Sequence, residues 1–224
     1  MGNLRARNES EKTIKRNIIL QSAWSLFEKS QGQLPTANEI ATRAEVAKGT
    51  VYVYFKTKEE IFLVLFIAKL QEWAADTKKR LNREKKPDIA SISEALAQYP
   101  ANNPLLMVLG GLLHSVLEKN APLEAVCEMK AEVAKLVEEC GDLFNQYLPW
   151  LAPRQGAKFM LTAYTVFNGI FQSASTPILL KKELKKRNID IFETNLKIDM
   201  IQAGIVLLEG MHAVVSSQNQ AHDK

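Results

Sequence analysis

At 224 residues, 46% apolar and 24% charged, the chain has the make-up of an ordinary globular protein with enough material for a sizeable core, as one domain or as a small module joined to a larger body. Its longest uninterrupted apolar runs, Ile61 to Ala68 and Pro104 to Leu113, fall short of the roughly 20 residues of a bilayer span, and the polar stretch Asn3 to Lys15 does not read as a secretory signal. A cytoplasmic protein without a membrane helix is expected. The net charge of +4 is uneven: residues 1–60 carry ten Lys/Arg against seven Asp/Glu, 61–86 seven against three and 87–224 twelve against fifteen, which suits a front end that meets a polyanion.

After an N-terminal arm of about residues 1–12, the segment Thr13 to Lys29 places Ile14, Ile18, Ile19, Ala23, Leu26 and Phe27 at helical spacing, which predicts a supporting helix. Gln31-Gly-Gln-Leu-Pro35 breaks the pattern. Thr36 with Glu39 then makes a capping box and opens a short helix to about Arg43 that buries Ile40 and Ala41. After a turn at Ala44 to Ala47, a third helix of about seven residues carries Val51, Tyr52 and Phe55. Thr57 with Glu60 forms a second capping box, opening a long helix with Ile61, Val64, Leu65, Ala68 and Trp73 as apolar positions. The expected small core is Phe27, Ile40, Val46 and the ring of Tyr52.

The third helix keeps an exposed face suited to duplex DNA. Lys48 adds charge, Gly49 lets the backbone approach closely, Thr50 offers a hydroxyl and a methyl, and Tyr54 offers a phenol. Lys56 and Lys58 flank the start of the next helix, where free N–H groups and the positive end of the dipole favour a phosphate; Thr36 offers the same device. Lys48 and Thr50 are expected to touch base edges, and the others to set the register on the backbone.

These blocks, Ile19-Leu-Gln-Ser-Ala23, Leu26-Phe27, Thr36, Ile40-Ala41, Lys48-Gly-Thr-Val-Tyr52, Tyr54-Phe55 and Lys58-Glu-Glu-Ile61, resemble the tetracycline-repressor (TetR) family of bacterial transcription regulators in content and spacing. The resemblance covers roughly Arg16 to Leu65. It implies an all-α dimer: an N-terminal three-helix helix-turn-helix DNA-binding domain (1–57) and a C-terminal helical ligand-binding and dimerisation domain (58–224). It also implies a repressor that a small molecule releases from a palindromic operator, with family DNA contacts at Thr36, Lys48, Thr50, Tyr52, Tyr54 and Lys58. Two positions depart from the family turn. Glu45 stands where Gly supplies the left-handed residue and Ala47 where Ser or Thr caps the reading helix, which predicts weaker or more salt-sensitive DNA binding.

Further on, prolines punctuate helices expected at Ile89 to Gln98, Asn103 to Glu118, Pro122 to Tyr147, Arg154 to Ser175 and Leu196 to Val215, and Lys181 to Arg187 reads as a solvated connecting segment. The last helix is apolar almost all round, with Ile198, Ile201, Ile205, Leu208 and Val215 on one side. Its small residues Ala203, Gly204 and Gly210, with Ala163, Gly169 and Ala174 on the preceding helix, predict close approach of a second subunit in a four-helix interface. An effector cavity would draw on Trp73, Met107, Leu113, His114, Met129, Tyr164, Phe167, Asn168 and Phe171, and the absence of a charged cluster there favours an apolar or amphipathic molecule.

Cys127 and Cys140 fall in one predicted helix, roughly 20 Å apart by its rise, so they cannot bridge each other. His114, His212 and His222 lie on separate segments with no nucleophile or metal motif, and neither an enzyme nor a cofactor is expected. The competing reading is a dimeric DNA-binding regulator controlled by a protein partner, or an activator, without a small-molecule effector.

Overall fold

The computed structural model describes the backbone of residues 2–222 and the side chains of residues 10–218. All regular structure among them is helical. The chain forms two compact units, one of residues up to Ala68 with Val108–Ala131, the other of Lys69–Met107 with the residues from Glu132 onward.

In the first unit, α1 (Gly2–Lys29) starts eleven residues ahead of the predicted helix and takes in the expected arm. The stretch Leu4 to Lys12 contains Leu, Arg, Ala, Glu and Lys and no proline, so nothing in it opposes helix. The buried stripe is narrower than the apolar periodicity suggested: Ile19, Ala23 and Phe27 are fully buried, whereas Ile14 and Ile18 are exposed. Among the described side chains of α1, residues 10–15 are exposed and burial begins after them. The helix stops at Gln31 (φ 55°) and Gly32 (φ 101°), whose N–H donates to the Phe27 carbonyl at 2.9 Å. Gly32 is required twice over, because its φ favours glycine and a Cβ there would lie 2.5 Å from Val108 Cγ1.

Two seven-residue helices follow, α2 (Ala37–Arg43) and α3 (Lys48–Tyr54). Helices this short do not persist alone, so tertiary packing holds them. Ile40, Val51 and Phe55 supply it, all 2% exposed or less, beside Phe27 and Phe62, whose ring centroids are 5.4 Å apart. The Arg16 guanidinium covers the Phe55 ring at 5.0 Å, tying α1 to the end of α3.

The long helix α4 (Lys58–Leu81) begins in the first unit and continues into the second. In the second unit it is held to α5 (Ile89–Asn102): Trp73 Nε1–H donates to the Leu96 carbonyl at 2.7 Å, and the Tyr99 hydroxyl donates to Glu72 Oε2 at 2.5 Å. Burial first, and the Glu72 carboxylate second, push the Tyr99 phenol pKa well above its ordinary range.

The helix expected over Asn103 to Glu118 is present but broken in register. α6 (Pro104–Leu112) passes into a π-helical turn, Leu113–Leu117, and a last α-turn, α7 (Glu118–Asn120). α8 (Leu123–Tyr147) and α9 (Gln155–Ala174) form a hairpin closed by two glycines, since a Cβ on Gly141 would meet Ala157 N at 2.4 Å and one on Gly156 would meet Gly141 O at 2.3 Å. Cys140 is buried in α8 and Cys127 exposed.

Residues expected to be a connecting segment are helical: α10 spans Ile178–Lys186, capped at its end by Arg187 N–H, and buries none of its side chains. α11 (Leu196–His222) runs past the predicted end at Val215 and packs on α5 and α9. By length and composition alone Leu196–Gln218 is apolar enough to cross a membrane, a test that a packed helix of a soluble protein also passes. One stripe of it, Met200, Gly204 and Leu208, is buried, with Gly204 set against Ser93, where a Cβ would come within 3.0 Å. Gly204, and the fully buried Ala163, therefore serve packing inside the chain rather than the approach of a second subunit. Ile198, on the same predicted apolar side as Leu208, is 50% exposed.

Candidate nucleic-acid interface

The N-terminus of α2, one face of α3 and the N-terminus of α4 surround a cleft of about 430 Å³ lined by Thr36, Asn38, Lys48, Tyr52, Lys56 and Lys58 among others. Four of the residues expected to contact DNA, Thr36, Lys48, Tyr52 and Lys58, thus share one concave surface. Gly49 is exposed, with nothing within 4 Å of a would-be Cβ, whereas Thr50 and Tyr54 are half-buried at the edge of the same helix.

Tyr52 is not part of the core. Its ring is 46% exposed, because the buried face of α3 runs from Val51 to Phe55, one turn apart, and leaves Tyr52 turned about 100° away. Val46 is half-buried. Two residues escaped the sequence reading. Asn38 lines the cleft from the first turn of α2, and Val53, 79% exposed, adds an apolar spot to the outward side of α3. Their signal was positional, since both follow once the Val51–Phe55 pair and the Thr36 cap fix the helical phases.

The caps set how positive the cleft is. Thr36 Oγ1 accepts from Glu39 N–H at 3.2 Å, while Glu39 Oε2 accepts from Thr36 N–H at 2.7 Å and from its hydroxyl at 2.8 Å. The Thr36 N–H and hydroxyl, helped by the Lys58 charge, hold the Glu39 carboxyl below the usual carboxylate range. At the second cap Glu60 N–H donates to Thr57 Oγ1 at 3.2 Å, but Glu60 Oε2 accepts from Lys56 N–H at 2.6 Å rather than from Thr57. Lys58 Nζ lies 3.9 Å from Glu59. The entry to α3 has the two predicted departures: Glu45 sits at φ 54°, and Ala47 makes no side-chain cap.

The matches with known proteins follow the same division of the chain. The family described as "Bacterial regulatory proteins, tetR family" matches residues 19–65, and the one described as "Tetracyclin repressor-like, C-terminal domain" matches residues 68–214. The chain belongs to the TetR family. This TetR-family chain is 38% identical over 72 residues to the HTH-type transcriptional regulator QacR of Staphylococcus aureus, covering 30% of this chain and 38% of that protein. It is 36% identical over 58 residues to the HTH-type regulator YhgD of Bacillus subtilis, covering 26% and 30%. The match thus spans well under half of either relative. In fold it is similar to the fatty acid degradation regulator FadR of Bacillus halodurans, with 14% identity, a TM-score of 0.55 and coverage of 88% of this chain and 95% of that one. It is also similar to a protein of unknown function from Rhodococcus sp. RHA1, with 16% identity, a TM-score of 0.51 and coverage of 88% and 94%. Family membership makes it a regulator and not an enzyme.

Of the residues expected around an effector, the TetR-family fold brings three together in the second unit: the Trp73 ring centroid is 6.4 Å from Tyr164 and 6.3 Å from Phe167. Asn168 stands one turn after Tyr164 and donates its Nδ2–H to the Tyr164 carbonyl at 2.9 Å, while its buried Oδ1 has no hydrogen-bond partner. Thr77 Oγ1, one turn after Trp73, is likewise buried without one. Met107, Leu113 and Met129 are buried and Phe171 half-buried. His114 is in the first unit with its side chain 72% exposed, and its Nδ1 lies 2.9 Å from Glu118 Oε2.

Proposed function

We propose that the chain is a dimeric, sequence-specific DNA-binding transcription regulator, acting in the cytoplasm as a repressor that a small apolar or amphipathic molecule releases from a palindromic operator. The observation that carries the DNA reading is the convergence of Thr36, Lys48, Tyr52 and Lys58 on one cleft formed by two helix N-termini and the exposed face of α3. Helix N-termini with lysines beside them suit phosphates, and Lys48, Gly49 and Thr50 at the head of α3 suit base edges. Tyr52 adds a phenol to the cleft, and Tyr54, two residues on, lies outside its lining.

The dimer reading draws on the outward sides of α9 and α11. Leu161, Val206 and Val214 are at least half exposed there, and Gly169 and Gly210 have nothing within 4 Å of a would-be Cβ. Two-fold symmetry would place paired reading helices about one DNA turn, roughly 34 Å, apart. The effector reading draws on Trp73, Tyr164 and Phe167, with Thr77 and Asn168 as polar groups able to orient a guest; Met107 and His114 remain the less supported candidates. Release requires a coupling of only about 1–3 kcal/mol.

Genomic footprinting of the purified protein, followed by anisotropy titrations on the recovered site, tests this reading. Lys48→Ala and Tyr52→Ala should each weaken binding by roughly 5- to 150-fold, at about 1–3 kcal/mol per contact. Footprints without a shared palindrome, or unchanged affinity in both variants, would overturn it.

A further inference from the structure

The segment between α9 and α11 carries the densest exposed apolar surface of the second unit. Ile178, Leu179, Ile191 and Phe192 are 73, 81, 83 and 61% exposed, joined by Leu180 and Ile189. Lys181, Lys182, Lys185, Lys186 and Arg187 share the segment. Lys181 Nζ donates to the Ala174 carbonyl at 2.9 Å, tying the start of α10 to the end of α9, and Glu183 pairs with Arg187 at 3.1 Å and Lys186 at 3.6 Å. A concavity of about 320 Å³ lies among Leu184, Ile189 and Phe192, rimmed by Lys181, Lys182 and Lys185. Nine residues are too few for a helix to persist without packing, yet α10 buries no side chain in its own chain. Apolar surface this contiguous marks an interaction site.

We propose that residues 178–192 are a strap that docks on a second copy of this chain; the inference rests on the dimer reading above. Continuity is the first reason. The strap is tethered directly between α9 and α11, the two helices whose exposed Leu161, Ile198, Val206 and Val214 are available to a second copy. Charge is the second. The strap's five cations outnumber its two carboxylates, Glu183 and Asp190, whereas the Glu132–Tyr147 stretch of α8 carries Glu132, Glu138, Glu139 and Asp142 against Lys135, and a second copy presents the same acidic stretch.

The test uses the full chain. With benzoylphenylalanine in place of Phe192 and light and ¹⁵N-labelled copies mixed, irradiation should give light–heavy crosslinks. Leu179→Glu combined with Ile191→Glu should weaken dimerisation by about tenfold or more in sedimentation equilibrium with the circular dichroism spectrum unchanged. Val206→Glu on α11 monitors the dimer itself and should dissociate it. Should the wild type sediment as a monomer at every concentration, the dimer reading and the strap fall together. A wild type that dimerises through α11, with the strap substitutions neutral and crosslinks confined to one chain, overturns the strap alone. So does binding of the wild type to phosphatidylglycerol vesicles that the strap variants lose without any change in dimerisation.

Discussion

Lys56 Nζ lies 3.7 Å from Glu124 Oε2, pairing a residue of the proposed DNA cleft with the first turn of α8. Both side chains are more than two-thirds exposed, so the pair contributes at most about 1 kcal/mol and is screened by salt. An ammonium so placed can serve this carboxylate or a DNA phosphate. Glu124→Gln is therefore expected to raise operator affinity by up to about fivefold, and Lys56→Ala to lower it and reduce the salt slope by about one. In a Lys56→Ala background Glu124→Gln should be neutral; anisotropy titrations over a range of salt concentrations check all three.

The entry to α3 offers two independent gains. Ala47→Ser supplies the missing cap, worth about 0.5–2 kcal/mol. Glu45→Gly relieves a left-handed residue and removes a negative charge from the DNA side. Each should raise Tm, by about 2–4 °C per kcal/mol in a chain of this size, and both should tighten operator binding. Unchanged Tm and affinity in the double variant would refute this account of the turn.

Gly32 and Gly156 should tolerate alanine very differently from Gly49. Gly32→Ala meets Val108 Cγ1 and also holds φ at 101°, so a loss of about 1–3 kcal/mol is expected. Val108→Ala should relieve only the clash. Gly156→Ala drives a methyl into the Gly141 carbonyl at 2.3 Å, where backbone faces backbone and cannot yield, and should cost more. Gly49→Ala, with open space around it, should leave folding intact and report on DNA contact alone. Urea unfolding measures the first two and anisotropy the third.

Cys140 gives a pH signature. Burial first, and Glu139 second, raise its thiol pKa from 9.0 to about 11. Below the ordinary thiol value both folded and unfolded states are neutral and the burial contributes fully. As pH rises through that value toward 11, the unfolded state ionises first and stability falls. Relative to Cys140→Ala, the wild type should lose up to about 2 kcal/mol between pH 8.5 and 11. Equal pH slopes for the two proteins would refute the raised thiol.

The sequence made the DNA-reading frame legible because its signals are local. The Thr36–Glu39 box, the left-handed Glu45 and the uncapped Ala47 are decided by residues within a turn of one another. Tyr52 was misplaced because Val51, Tyr52 and Phe55 are all apolar enough for a core, and only the packing of α3 selects the Val51–Phe55 side. The back half was legible as helices but not as surfaces. Gly204 suits an intersubunit contact by its smallness alone, but Ser93 of the same chain lies against it, and the Lys181–Arg187 run hides a helix because its charges mask the neighbouring Ile178-Leu-Leu180. Side-chain chemistry alone marks Trp73, Tyr164 and Phe167, and only the structure places their rings together.

The π-helical turn at Leu113–Leu117 makes chain length itself a carrier of shape. Glu118 N–H donates to the Leu113 carbonyl, five residues back, so the chain holds one residue more than an α-helix would use. Everything after it leaves about 100° out of phase with everything before it. In that phase Glu118 meets both His114 at 2.9 Å and Lys130 at 2.6 Å, the latter an ion pair outside hydrogen-bond angles. Removing a single residue, such as the exposed Ser115, would let an ordinary helix run straight through and turn its downstream end to a new bearing. A scan that only exchanges side chains would pass over this register, because it is written in the count of residues and not in their kinds.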